Sequence, residues 1–246
     1  MEPLPRAGQG ALASAIVDFA FDRGWGFRCV VIGMPGSGKS FFLARLALYA
    51  ASRSPHPLVF IHDAKDPEPQ PQYLEIGTLR ASVADLEARP LTAEDSPIVV
   101  FHNRRPPEDP DVLAQKATDL ALGESGQPRQ PVALFIDELH HALSGSRTFA
   151  SGVKGPIATA LREGRSWGLS SATATQTPQD IPTNLLTTTE MTVLFRTKPG
   201  RGLDYVSEQL NLAPDLIEAI PRLGDGEAIL CDARRIDDRM IYGPDW

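Results

Sequence analysis

The stretch "GMPGSGKS" at residues 33–40 constrains the fold of this chain more than any other. It follows "FRCVVIG" (27–33), a near-continuous apolar run of strand length, and opens "KSFFLARLALYAASR" (39–53), which reads as a helix. A strand apolar on both faces must be covered on both faces, so the unit belongs in a sheet flanked by helices. The spacing G-x-x-x-x-G-K-[ST] adds chemistry to that topology. Its glycines let successive backbone N–H groups turn toward one point, and the helix start adds the positive end of its dipole. The stretch predicts a phosphate cradle formed by Gly33, Pro35, Gly36, Ser37, Gly38, Lys39, Ser40 and Phe41. In that cradle Lys39 reaches the β- and γ-phosphates of a nucleoside triphosphate, and the Ser40 hydroxyl ligates Mg²⁺.

The same strand-helix alternation continues downstream. "PLVFIHD" (57–63), "SPIVVFH" (96–102), "PVALFIDE" (131–138), 168–176 and "TEMTVLFRT" (189–197) read as strands, with helices near 109–122, 156–166, 203–212 and 214–221. "GEAILCD" and "RRIDDRMIYG" read as a terminal hairpin or edge strands. The pattern predicts one α/β domain over residues 27–246 with a mainly parallel sheet, preceded by a lead-in over 1–26 that holds a short helix. "DPEPQPQYLEIGT", rich in proline and acids, reads as a surface loop. No apolar run approaches the roughly 20 residues that span a bilayer, and the N-terminus lacks the basic-then-apolar pattern of a secretory signal. Cys29 and Cys231 lie in apolar runs and imply no disulfide framework. These features predict a soluble, intracellular protein.

A net charge of −7 argues at first against a nucleic acid partner. The distribution qualifies this. Eleven acids and five bases fall between Asp63 and Asp111, whereas Leu139 to Gln179 holds one acid, Glu163, and four bases. The imbalance is either chance clustering or one locally basic working face on an acidic protein.

"VALFIDE" delivers two acids to the end of an apolar strand. Asp137 is placed to hold Mg²⁺ through its water shell, and Glu138 to accept a proton from an attacking water. An adjacent acid pair favours hydrolysis over phosphate transfer to a small molecule. His140 and His141 follow without further ligands that would complete a metal set, and read as polar residues at a helix start. "ALREGRSWGL" places Arg162 and Arg165 ahead of the next strand. They are either a solvated helix end or a finger that enters a neighbour's site in a ring. "SGSRTFASGVKG" (144–155) holds Arg147 and Lys154 and no acid. It reads equally as a connector or as a cationic loop that grips DNA phosphates.

Taken together, the phosphate loop, "LFIDELHH", "REGRSWGLSSATATQTPQDIP" and "MTVLFRT" resemble the FtsK–HerA superfamily of DNA-pumping ATPases over roughly residues 27–200. The most specific element is a basic helix end, a strand, a terminal glutamine and a proline-containing exit. The strand itself, "GLSSATATQ", is poorer in large aliphatics than the family's usual run. The resemblance implies a RecA-like (ASCE) P-loop three-layer sandwich with C-terminal edge strands. It assigns Gln176 to contact the γ-phosphate or the attacking water, and Arg162 or Arg165 to act in trans. It further implies a hexameric ring, double-stranded DNA in its centre, and Mg·ATP between subunits. The bare length of the core resembles the genome-packaging ATPases of tailless icosahedral viruses with an internal membrane. That likeness implies a capsid vertex or portal partner and a place in the host cytoplasm and at the virion packaging vertex. The alternatives are a HerA-like or conjugation-type translocase, a nucleotide switch that pumps nothing, and an assembly ATPase like those of filamentous phage.

Overall fold

Runs of Val, Ile, Leu and Phe without polar alternation become central strands here because helices cover both of their faces. The computed structural model of the chain describes residues 6–21, 26–53, 57–64, 68–92, 94–102, 110–123, 129–144, 155–232 and 241–243. β1 (Arg6–Gly8) runs into α1 (Gln9–Phe21), and β2 (Arg28–Ile32) reaches α2 (Lys39–Ala51) through the glycine-rich loop. β3 (Leu58–Asp63) is followed by the short α3 (Pro71–Leu74), β4 (Thr78–Arg80) and α4 (Val83–Ala88). Next come β5 (Ile98–His102), α5 (Pro110–Leu122), β6 (Val132–Ile136) and α6 (Leu139–Ser144). α7 (Pro156–Glu163) passes through a 3₁₀ turn into β7 (Leu169–Thr175). α8 (Thr183–Thr188), β8 (Met191–Phe195), α9 (Arg201–Leu210), α10 (Pro214–Ala219), β9 (Ala228–Asp232) and β10 (Ile241–Gly243) complete the chain.

The described strands form one sheet in the order β1-β10-β9-β8-β2-β7-β6-β3-β5-β4. Every pairing from β8 to β4 is parallel, and the two that join β8, β9 and β10 are antiparallel. A mainly parallel sheet with C-terminal edge strands was expected and is observed. The outermost strand on that side comes from the other end of the chain, since β1 pairs with β10. The lead-in is therefore woven into the sheet, and α1 adds Leu12, Ile16 and Val17 to the core. No helix among the described residues is long and apolar enough to cross a membrane.

Alternate residues of each strand feed opposite cores. Val31, Ile61, Phe135, Ala174 and Val193 face α1 and α2, while Ile32, Phe60, Leu134 and Leu194 join the cluster under α5, α7 and α9. β7, "LSSATAT", is buried at all seven positions although it holds one large side chain. It lies between β2 and β6, with Thr173 level with both Val30 and Ile136. Its small residues suit the position, because α2, α5 and α7 all close over it.

The segment expected as a surface loop differs from the expectation. Its described part holds α3 and β4, and Tyr73 is fully buried against the α1–α2 core. Proline and acidic content marked the segment as exposed, but one aromatic ring was enough to anchor it inward.

At the entry to β7 the backbone of Gly26 passes so close that an added Cβ would lie 2.3 Å from the Leu169 carbonyl oxygen. Backbone cannot yield as a flexible side chain does, so Gly26→Ala should destabilise the fold by about 1–3 kcal/mol, the usual cost of overpacking. Urea unfolding should show a lower midpoint at unchanged slope, and an unchanged midpoint would mean the two segments can part without loss.

Candidate active site

The glycine-rich loop is held from several sides. Gly36 and Gly38 have φ of 74° and 104°, in the left-handed region that glycine alone enters freely. Met34 donates to the Arg196 carbonyl at 2.9 Å, and Gly226 donates to the Ser37 carbonyl at 3.0 Å. The Gln9 amide donates in turn to the Gly226 carbonyl. A Cβ on Gly38 would meet the Gly226 Cα at 3.1 Å. Lys39 is buried, and its Nζ folds back to donate to the Met34 carbonyl at 3.1 Å. The Ser37 hydroxyl is buried with no hydrogen-bond partner among the described residues. A buried cation and an unsatisfied hydroxyl at the start of a helix are groups that a phosphate satisfies. Phe41 stands 46% exposed on the first turn of α2, with the Arg45 guanidinium 5.3 Å from its ring centre.

Asp137 follows β6 and exposes no surface. Its Oδ1 accepts the Glu138 N–H at 3.0 Å, and its Oδ2 accepts from Gln70 Nε2 at 2.5 Å and the Tyr73 hydroxyl at 2.9 Å. Tyr73 also interacts with the Ser40 side chain. Burial, and then the charge of Asp137, push the Tyr73 hydroxyl well above its ordinary pKa, so it remains a donor. Asp63, equally buried, accepts from the Gln70 backbone at 2.7 Å and its side chain at 3.3 Å. Ser40 and Asp137, joined through Tyr73, fit the hard oxygen set that a hydrated Mg²⁺ takes. Sequence reasoning placed Gln70 and Tyr73 in a loop and so missed both. The signal was the lone tyrosine among prolines and acids.

Glu138 has φ of 53°, one of two non-glycine residues in the left-handed region among the described residues. That turn sends its carboxylate toward β7. The Gln176 amide donates to Glu138 Oε1, and Glu138 Oε2 has no hydrogen-bond partner among the described residues. His140 Nδ1 lies 3.5 Å from that Oε2 and 3.4 Å from the Thr175 hydroxyl. Burial, and then the neighbouring His141, lower the His140 pKa, so the ring sits neutral beside the glutamate near pH 7. The two histidines had been read only as polar residues at a helix start, and the contact of His140 with Glu138 went unforeseen.

Arg162 and Arg165 lie at the other edge of the sheet, before β7 begins. Arg165 is ion-paired with Glu190, which Arg28 also approaches at 3.6 Å. Arg28 donates to the Arg162 carbonyl at 3.0 Å, and the Arg162 side chain meets Glu163 at 3.0 Å. Arg147 and Lys154 fall outside the described residues.

A phosphate loop and the acids Asp137 and Glu138 at one sheet edge, with β7 between them, define a P-loop NTPase fold. The comparisons with known proteins agree with it. The genome-packaging NTPase B204 of Sulfolobus turreted icosahedral virus 2, solved with AMP, superposes with a TM-score of 0.64 at 18% identity, covering 90% of this chain and 98% of that one. The DNA-packaging ATPase B204 of Sulfolobus turreted icosahedral virus matches at 0.64 and 19%, over 89% and 98%. VirB4 of Thermoanaerobacter pseudethanolicus matches at 0.57 and 12%, over 89% of each chain. In sequence, the DNA double-strand break repair helicase HerA of Sulfurisphaera tokodaii is 32% identical over 102 residues, which span 41% of this chain and 20% of the helicase. No family model matches the chain.

Gly38→Ala tests the loop directly. Left-handed backbone costs a non-glycine residue about 1–2 kcal/mol, and here the new methyl also presses on Gly226. Affinity for ATP measured by calorimetry should fall about tenfold or more, and unchanged affinity would show that the loop's shape is not needed.

Proposed function

We propose that the chain is an Mg²⁺-dependent ATPase that drives double-stranded DNA, and that its task is to package a viral genome into a capsid. The observation that carries the hydrolytic reading is the contact between Gln176 and Glu138, made where β7 ends between the phosphate loop and the acid pair. Complexes of the similar viral NTPase with ATP-γS and with AMP support ATP as the nucleotide.

In this reading Lys39 and the loop N–H groups hold the β- and γ-phosphates. Ser40 and Asp137 would hold Mg²⁺, which would spread the phosphate charge. Glu138 takes a proton from water as the water oxygen bonds to the γ-phosphorus and the bridging oxygen leaves with ADP. Without nucleotide, the Gln176 amide occupies one oxygen of that base. A γ-phosphate draws the amide away, which frees the carboxylate only when there is something to hydrolyse. Phe41 and Pro35 border the cradle.

Arg162 and Arg165 cannot serve their own site. They lie beside Arg28 at the start of β2, and five residues of strand separate that level from Gly33, roughly 17 Å at 3.3 Å per residue. A neighbour in a ring brings them to the γ-phosphate, and a hexamer is the assembly proposed. Arg147 and Lys154 are the candidates for gripping DNA along its phosphates. A capsid vertex or portal protein would then seat the motor in the host cytoplasm. The HerA match favours a second reading in which the same engine moves DNA for a cell or plasmid.

ATP turnover measured with and without duplex DNA tests this. Duplex DNA should stimulate it, whereas equal rates would favour a nucleotide switch. Glu138→Gln should keep ATP binding and lose at least about 10²-fold in turnover. Near-normal turnover would remove Glu138 from the chemistry.

Subunit mixing tests the arginines. Lys39→Ala subunits mixed with Arg162→Ala or Arg165→Ala subunits should regain activity, because a donated arginine meets an intact phosphate loop at the mixed interfaces. The mixture that is rescued identifies the finger. No rescue in either would exclude a shared site.

A further inference from the structure

Asp63 and Asp137 leave the ends of the adjacent parallel strands β3 and β6, and neither exposes any surface. Two carboxylates so placed repel each other and have lost their hydration, so each needs donors or a cation. The Gln70 side chain serves both. Its Nε2 is 2.5 Å from Asp137 Oδ2 and 3.3 Å from Asp63 Oδ1, and these two contacts use both protons of the amide. Its backbone N–H separately anchors it to Asp63 Oδ2 at 2.7 Å. Gln72 donates to the Gln70 carbonyl oxygen Oε1 at 2.9 Å, which fixes the amide's orientation.

Tyr73 plays a different part from the same short segment. It is fully buried, and its hydroxyl touches Asp137 Oδ2 at 2.9 Å and interacts with Ser40. It thereby links the two residues assigned to the metal. The Gln70 amide instead donates its protons to Asp137 as the waters of a hydrated cation would, and it crowds the same oxygen.

We propose that Gln70 is a placeholder for hydrated Mg²⁺. Arrival of Mg·ATP displaces its amide from Asp137, while Tyr73 stays and keeps Asp137 aligned with Ser40. The inference rests on the nucleotide reading above and adds a consequence to it. Gln70 immediately precedes α3, and β4 follows at the sheet's far edge, so displacement loosens the backbone of Gln70–Gly77 about the Tyr73 side chain, which itself stays on Asp137, only in the metal-loaded state.

The two residues predict opposite effects, which a merely structural role does not. Binding of a fluorescent, non-hydrolysable ATP analogue is titrated with Mg²⁺ at fixed analogue. Gln70→Ala should lower the Mg²⁺ midpoint about tenfold, the worth of one hydrogen bond to a charged group. Tyr73→Phe should raise it by a similar factor, and affinity in EDTA should be the same in both variants as in the parent chain. An unchanged or raised midpoint in Gln70→Ala overturns the proposal. In the parent chain, hydrogen exchange across 70–77 should quicken with Mg²⁺ and analogue together and stay slow with analogue and EDTA. Equal exchange in the two conditions also overturns it. Absence of any analogue binding by the parent chain would instead sink the nucleotide reading itself, and this inference with it.

Discussion

The site depends on a strand of small residues set between two strands of large ones. Neighbouring strands stand about 4.8 Å apart, so with β7 between them β2 and β6 are about 10 Å apart. Direct pairing of β2 and β6 would press the glycine-rich loop against the acid pair. The inserted strand separates the loop from the acids, and its own exit places an amide between them. Register then decides which residue arrives there. Thr175 is level with Ile32, so Gln176 follows at the level of Gly33, and Gly33 donates to the Thr175 carbonyl at 3.3 Å. Bulky side chains along β7 would push α2 and α5 outward and carry the loop, which begins α2, away from the acids.

Placing charge in that gap is costly, and the surroundings show how the cost is met. Asp137 receives three donors, from Glu138, Gln70 and Tyr73. Each such bond to a charged group contributes about 1.5–3 kcal/mol against the penalty of burial. Lys39 donates to a carbonyl of its own loop, a neutral acceptor, and under the proposed reading a charged phosphate oxygen is the stronger partner. Glu138 is held in left-handed backbone, a strain of about 1–3 kcal/mol that is kept where it turns a carboxylate toward its partner. These groups are satisfied well enough to fold and loosely enough to exchange partners.

Much of this was legible beforehand. Strands such as "VVIG", "VFIHD" and "VALFIDE" announce themselves by apolar content, and a glycine pattern with a lysine has few structural uses. Gln176 also stood out, because a glutamine that closes a buried strand has no packing value, and it donates to Glu138. What stayed hidden were residues whose role comes from folding across distance. Gln70 reaches Asp137 over 67 positions from a segment whose composition looks exposed. His140 looks like an ordinary helix-start residue until β7 brings Thr175 beside it. Arg28 opens a buried strand, and nothing local says that Glu190 will face it. β1 is three residues long, too short for any periodicity to register.

The amino edge of the sheet completes the logic of a shared site. Glu190 faces both Arg165 and Arg28, and all three side chains are mostly covered, with exposures of 12%, 26% and 15%. Two guanidiniums converge on that one carboxylate, so donors suited to an anion already stand together at this edge. Under the proposed reading a neighbour's triphosphate is the anion they meet, with more charge and more acceptor oxygens than a carboxylate offers. In the isolated chain Glu190 keeps Arg165 ordered, so little side-chain entropy remains to be lost when it is handed on. Under the proposed reading the transfer is then one between two charged partners, and the difference between them sets how firmly subunits engage. An arginine free in solvent would have to be ordered first. One buried in a matched pair would not leave. Arg165, partly covered and sharing Glu190 with Arg28, lies between those extremes.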